Sequence, residues 1–359
     1  MKNFKKKISI YKNQKILITG HTGFKGSWLS FWLNLLGAKI YGISKNIPTK
    51  PSFFKACGVD KISKNYYFDI KDFQKVKKII FKIKPDFIFH LAAQSLVGKS
   101  YQNPNMTWET NLIGTKNIIE ALLNYKKKCS VVLITSDKCY KNIETHRPYS
   151  EKDILGGLDP YSASKASAEI LFNSYFQSFF RGNKYVKLAT ARAGNVIGGG
   201  DWAKDRLIPD CIRLWSQKKK VEIRNPKATR PWQHVLEALS GYLLLGYNLN
   251  KDKKISGESF NFGPDLRKTF NVASIIRLAQ KNWKNSKWII KKRKNTNFKE
   301  ARLLSLNSNK ARKILKWKIK ININDVIKFV IMWYRNYYFD HKNLVKFTKK
   351  QINFFENLI

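Results

Sequence analysis

The stretch Lys15-Ile16-Leu17-Ile18-Thr19-Gly20-His21-Thr22-Gly23-Phe24-Lys25-Gly26-Ser27-Trp28 decides the fold. A short β-branched run from Lys15 to Thr19 predicts a strand. Behind it, apolar residues recur at Trp28, Leu29, Trp32, Leu33 and Leu36, which is helical spacing. Gly20, Gly23 and Gly26 stand between the two. Glycines at this spacing allow a tight turn and let the backbone approach a pyrophosphate, whose charge then lies at the positive end of the helix. A glycine turn by itself is common. Placed between a strand and a helix, it points to a dinucleotide site spanning Gly20, His21, Thr22, Gly23, Phe24, Lys25 and Gly26.

Working outward, residues 14 to about 190 alternate short β-branched runs with amphipathic stretches. Strands are expected at Lys15 to Thr19, Lys39 to Ile43, Tyr66 to Phe68, Phe87 to His90, Val131 to Thr135 and Val186 to Ala191, with helices in the gaps. The fold class is therefore α/β, a doubly wound parallel sheet of Rossmann type, which binds its ligand at the carboxyl ends of the strands. After residue 192 the texture turns to glycine-rich loop, short helices and short strands, with helical patterns at Pro231 to Tyr247, Val272 to Trp283, Asn309 to Leu315 and Ile323 to Tyr337. This reads as a smaller C-terminal substrate lobe. The expected division is a nucleotide-binding domain over 1–192, joined by about 233–262, a lobe over 193–232 and 263–340, and a tail over 341–359 too short to be a domain.

The second strand ends Ile43-Ser44-Lys45-Asn46, without the carboxylate that would grip an adenosine ribose and select NAD. Asp69 and Ile70, after the third strand, are candidates to reach the adenine, although a polar residue there also serves as a turn former.

Composition bounds the remaining classes. The 359 residues are 43% hydrophobic and 14% aromatic, which suits a globular chain with a large core. No apolar run approaches a membrane span, and the lysine-rich start (Lys2, Lys5, Lys6, Lys7) leads into a strand pattern rather than a signal core. Cys57, Cys129, Cys139 and Cys211 form no CxxC pairing, so no metal site and no disulfide framework are expected, and the chain reads as cytoplasmic. Sixty-nine basic against 24 acidic residues give a net charge of +45, which would attract nucleic acid nonspecifically. Lysine is spread along the whole chain, so runs such as Lys126-Lys127-Lys128 and Lys291-Lys292-Arg293-Lys294 read as solvated surface. The aromatic and lysine mixture from Trp283 to Lys294 would suit stacked bases, but it also holds the strand-like Lys287-Trp288-Ile289-Ile290, and no nucleic-acid motif is visible.

The chemistry gathers in two motifs. Tyr161 and Lys165 are four residues apart behind Asp159-Pro160, a good helix start, so they share a helix face. An ammonium beside a phenol favours the phenolate and moves it toward a general base. The fifth strand runs into Thr135-Ser136-Asp137-Lys138-Cys139-Tyr140, which brings a hydroxyl, a carboxyl and an amine to the sheet's carboxyl edge. Read alone, this is a polar turn with a surface ion pair.

Together with His90-Leu91-Ala92-Ala93-Gln94, Ala193-Gly194-Asn195-Val196-Ile197-Gly198-Gly199-Gly200-Asp201-Trp202 and Arg230-Pro231-Trp232-Gln233-His234-Val235, these motifs resemble the extended short-chain dehydrogenase/reductase family over nearly the whole chain. Within it they look like the 4,6-dehydratases that act on CDP-glucose. The discriminating feature is Asp137-Lys138, since related dTDP-glucose and GDP-mannose dehydratases carry an acidic pair there and epimerases lack an elimination pair.

The resemblance implies a tightly bound NAD held by the glycine turn, Asp69, Ile70, Leu91, Ala92, Ala93, Thr110, Tyr161 and Lys165. It implies catalysis by Ser136, Asp137, Lys138, Tyr161 and Lys165. Tyr161 would take the C4 hydroxyl proton, Ser136 would hold the C4 oxygen, neutral Lys138 would remove the C5 proton and protonated Asp137 would release the C6 oxygen. Gln94, Asn195, Arg206, Arg230 and His234 would hold CDP-glucose, the arginines as bidentate phosphate partners. A homodimer or larger assembly, paired through helices at Asn105 to Tyr125 and Tyr161 to Phe180, and a place in deoxysugar biosynthesis for lipopolysaccharide O-antigen are implied in the same way. Another nucleotide-sugar dehydratase, an epimerase and, remotely, a nucleic-acid-binding protein are the alternatives.

Overall fold

The computed structural model describes residues 2–251, 253–264, 270–290, 303–340 and 343–359. The strands are Lys15–Thr19 (β1), Lys39–Ser44 (β2), Ser63–Tyr67 (β3), Phe87–His90 (β4), Cys129–Ile134 (β5), Val186–Ala193 (β6) and Ser259–Phe262 (β7). They form one sheet in the order β7-β6-β5-β4-β1-β2-β3, with every neighbouring pair parallel. Strand order reverses between β1 and β4. Chains leaving those two strands turn to opposite faces, which opens the crevice where such sheets bind ligands.

Both faces of the sheet are covered, and the two-residue strand period shows which side chain serves which face. Ile16, Ile18, Phe87, Phe89, Val132 and Ile134 enter one apolar cluster, whereas Leu17, Ile88, Val131 and Leu133 enter the other. The helix Phe24–Leu35 (α1) buries Trp28, Leu29, Trp32 and Leu33 on the first face, and each such side chain contributes about 1.5–3 kcal/mol. Trp28 stacks on Phe53 at 4.6 Å and Phe53 on Trp333 at 5.8 Å, which ties α1 to the late helix Ile323–Arg335. On the second face, the helix Pro160–Tyr175 (α2) contributes the buried Phe172.

Several elements depart from the sequence reading. The lysine-rich start, where the sequence reading places no element, is a helix, Lys2–Ile8, ahead of the expected first strand. Phe4, Ile8 and Tyr11 recur at helical spacing and are buried, with Lys5 and Lys6 left exposed. The third strand begins three residues earlier than expected. Within the expected C-terminal tail, the helix Leu344–Leu358 buries Ile352 and Phe355, and its Glu356 accepts a 2.7 Å hydrogen bond from Trp32 Nε1. Gln233–His234 is a short strand beside Val196–Ile197, so the helix expected from Pro231 runs instead over Val235–Lys251 (α3). Trp288–Ile290 pairs as a strand with Val221–Ile223, while the Lys291-Lys292-Arg293-Lys294 run lies outside the described residues. Among the described residues no helix is long and apolar enough to cross a membrane.

Glu237, in the first turn of α3, is wholly buried. Its Oε1 accepts from the backbone N–H of Lys320 and Ile321 at 2.8 and 2.7 Å, and its Oε2 has no partner. Burial pushes this carboxyl up from 4.5 to about 7. As pH rises past 4.5, the unfolded chain gains a charge that the folded chain resists, so stability is lost up to about pH 7. Urea unfolding of Glu237→Gln should therefore gain about 3 kcal/mol over the unsubstituted chain between roughly pH 4 and pH 8. A pH-independent difference would refute this.

Candidate active site

The helix α2 starts where its sequence directs. Asp159 caps it, accepting from the Ser162 N–H at 3.0 Å and the Ser162 hydroxyl at 2.6 Å, and Pro160 fills the first helical position. Such a cap contributes about 1 kcal/mol. Tyr161 and Lys165 follow on one face, both buried against the end of β5. There Ser136, Asp137 and Lys138 form a tight turn, closed by a 3.3 Å bond from the Lys138 N–H to Ser136 Oγ. Ser136 Oγ donates to Asp137 Oδ1 at 3.0 Å, and the same hydroxyl acts on the Tyr161 phenol. Asp137 Oδ2 is buried and has no partner, and it sits against Gly194. Lys138 is half-buried beside it.

Desolvation governs the charges here. Burial holds the Asp137 carboxyl above its usual range, although Lys138, Ser136, Arg230 and Lys25 all pull the other way. Burial also pushes the Tyr161 phenol up to about 12, with Ser136 opposing. The expectation that Lys165 draws the phenol down is thus not met. The Lys165 amine donates instead to the Ile134 carbonyl at 3.4 Å and is itself pushed down to about 8 by burial, with Glu169 opposing. Lys25, reaching over from α1, falls to about 7 through burial and the nearby charges of Lys165 and Arg206.

The glycine turn fits a dinucleotide. Gly20 has φ +73°, and a Cβ there would lie 2.7 Å from Ala92 N, while a Cβ on Gly26 would lie 2.2 Å from Gly20 O. The bare backbone therefore forms a cradle at the N-terminus of α1, walled by the small Ala92. Thr22 Oγ1 donates to the Asn46 carbonyl at 2.7 Å, and His21 is bonded to Ser44 and Asn65, which fastens the turn to β2 and β3. Lys45, where a carboxylate was sought, pairs with Asp69 at 3.1 Å. Ile70 is buried and its carbonyl accepts from Asn117, while Leu91, Ala93 and Thr110 are half-buried.

Two of the residues assigned to substrate have other work. His234 is fully buried, edge-on to Trp28 at 6.1 Å and Phe329 at 5.9 Å, and burial holds it near pKa 3, so it is a neutral core residue. Gln94 spends its amide on the Leu96 backbone and on Thr107 at 3.0 Å, which shapes the loop after β4. Arg206 lies at the rim, paired with Asp201 at 2.8 Å and donating to Ser95 at 3.1 Å, and its charge acts on Tyr161. Arg230 lies close enough for its charge to act on Asp137, and the half-buried Asn195 accepts the Gln233 N–H at 3.0 Å.

Sequence reasoning missed Asn111, Tyr242 and the pair Glu169–Arg192. Asn111 bridges the loop after β4 and α2, accepting from the Gln94 N–H at 2.8 Å and donating to Ser164 Oγ at 2.9 Å. Tyr242 accepts from Lys25 at 3.4 Å. Glu169 carried a signal, being two turns beyond Tyr161 on the same face. Arg192 carried none, since its partner is remote in sequence. Among the described residues no group of three His, Cys, Asp or Glu side chains is arranged to hold a metal.

Residues 17–330 match a family model described as GDP-mannose 4,6 dehydratase. The CDP-glucose 4,6-dehydratase of Salmonella typhimurium is 40% identical over 332 residues, 91% of this chain and 92% of that one. The dTDP-D-glucose 4,6-dehydratase of Dictyostelium discoideum is 30% identical over 70% of this chain and 59% of its own length. In fold, the chain is similar to a UDP-glucose 4-epimerase of Thermotoga maritima solved with UDP-glucose (TM-score 0.76, 21% identity, 90% of this chain and 99% of that one). It is also similar to a dTDP-glucose 4,6-dehydratase of Streptomyces venezuelae (TM-score 0.74, 20% identity, 89% and 96%).

Because the Cβ of an alanine at position 26 would overlap the Gly20 carbonyl, Gly26→Ala should destabilise the fold by about 1–3 kcal/mol in chemical denaturation. It should also abolish dinucleotide binding in a fluorescence titration. Unchanged binding would mean that the turn is not the cradle.

Proposed function

Since the chain belongs to the nucleotide-sugar 4,6-dehydratase family of extended short-chain dehydrogenases/reductases, we propose that it converts CDP-D-glucose to CDP-4-keto-6-deoxy-D-glucose and water. The observation that carries this reading is Asp137: a buried carboxyl held above its usual range, with one oxygen unpartnered and the other accepting from Ser136, beside the Lys138 amine. An epimerase has no need of such a pair, because it breaks no C–O bond of the sugar.

A hexose C5 proton is not acidic and hydroxide is a poor leaving group, so the reaction needs a ketone at C4 first. Bound NAD would accept hydride from C4 and return it to C6, and its positive ring would favour the Tyr161 phenolate that burial opposes. The chain's own groups do the rest. Tyr161 takes the C4 hydroxyl proton and Ser136 steadies the C4 oxygen. Lys138 then removes the C5 proton, and Asp137, whose carboxyl burial holds above its usual range, gives its proton to the departing C6 oxygen. Lys138 gives its proton back to C5 as C6 gains hydride, and the proton taken up at Tyr161 replaces the one lost from Asp137, so the sum is one water lost with no net redox change.

The residues proposed to hold the cofactor are the turn from Gly20 to Gly26, Asp69, Ile70, Leu91, Ala92, Ala93, Thr110 and Lys165. Asn195, Arg206 and Arg230 hold the nucleotide diphosphate, the two guanidiniums by bidentate bonds. Exposed Ile113, Ile170 and Phe179, on helices flanking the site, supply an apolar face for a homodimer. The enzyme acts in the cytoplasm, in deoxysugar supply for surface polysaccharide such as O-antigen.

Incubation of the purified protein with CDP-glucose should yield a 4-keto product detectable by its absorbance in alkali, with dTDP-, GDP- and UDP-glucose turned over more slowly. A faster reaction with another nucleotide would move the substrate assignment. Lys138→Ala should oxidise C4 yet lose elimination, with kcat down by about 10²–10⁴-fold. Undiminished turnover would remove lysine from the mechanism.

A further inference from the structure

Tyr161, Lys165 and Glu169 are spaced one helical turn apart on α2, and all three are buried. The Glu169 carboxylate accepts from Thr135 Oγ1, from Thr190 Oγ1 at 2.8 Å, from Ser259 Oγ at 3.1 Å and from Arg192 Nη2 at 2.8 Å. The Arg192 guanidinium, equally buried, donates through Nη1 to Tyr140 Oη at 2.7 Å and lies 5.0 Å over that ring. Tyr140 Oη in turn donates to Asn261 at 2.8 Å.

The two outer contacts of this network fall on Thr135 and Tyr140, the residues that bracket Ser136-Asp137-Lys138-Cys139. We propose that the Glu169–Arg192 pair is a positioning unit, gripping both flanks of the Ser136–Asp137–Lys138 turn and fixing it against the helix that carries Tyr161 and Lys165. A wholly buried ion pair adds little net stability compared with apolar side chains of similar size, whereas its hydrogen bonds are directional. The pair joins Thr135 just past β5, Thr190 and Arg192 of β6, Ser259 of β7 and α2 at one point. A displacement of about 1 Å between reacting groups costs on the order of 10²-fold in rate, so a clamp of this kind governs turnover without touching the sugar.

The assignment of chemical steps rests on the dehydratase reading above, and the test separates the two. Failure of the unsubstituted protein to act on any nucleotide sugar would sink that reading alone. For the clamp, the double variant Glu169→Met/Arg192→Met removes both charges together and so avoids stranding one in the core. It should keep its circular dichroism and a KM within about threefold, while kcat falls by about 10–100-fold. In a single turnover, reduced nicotinamide should accumulate, because elimination by the displaced turn lags behind oxidation at C4. Tyr140→Phe, which cuts only the contact beyond Cys139, should lower kcat by a smaller factor, about three- to tenfold, again at constant KM. Folded variants with kcat within about twofold of the parent would overturn the proposal. If the double variant does not fold, Tyr140→Phe decides by the same criterion.

Discussion

Removal of water from the end of β5 is the constraint on which the rest depends. Asp137, Tyr161 and Lys165 are all buried there, and desolvation acts on each in the direction of its neutral form: the carboxyl and phenol upward, the amine downward. Such a site makes its carboxyl and phenol slower to give up protons and its amine quicker to do so. It can therefore pass protons to and from a sugar without large charges appearing in an apolar crevice. Neighbouring cations temper the effect without reversing it, as Lys138, Arg230 and Lys25 do for Asp137.

A dry site of this kind needs walls that do not yield. The sheet supplies one, with its strands buried on both faces, and α1 is fastened to the late helices through Trp28, Phe53 and Trp333. The reversal of strand order between β1 and β4 sets the glycine turn beside the loop that carries Ala92, and the same sheet edge carries Ser136 to Lys138. Geometry follows from connectivity here: two parallel strands that part to opposite faces leave a gap that only a ligand fills.

Much of this was legible in the chain because the signals are local. The strand, glycine turn and helix around Gly20 are contiguous in the chain, and Asp159-Pro160 announces the helix of Tyr161 through its own capping chemistry. His234 and Gln94 misled for the opposite reason. Their polar side chains look functional beside Arg230 and Ala93, but whether a polar group faces a ligand or satisfies a neighbour depends on residues far away, such as Phe329 for His234 and Thr107 for Gln94. The helix at Leu344–Leu358 was undervalued because its worth lies in what it covers, Trp32 and Trp333, and not in its own pattern.

By itself, the sequence determined the α/β class, the glycine cradle and the residues able to move protons, since each is written in short-range spacing that constrains backbone and side-chain direction. Only the tertiary structure decided which of those groups are dry, which way their proton affinities move, and that Arg192 meets Glu169. Desolvation and long-range pairing are properties of packing, and packing brings together positions that no local period connects.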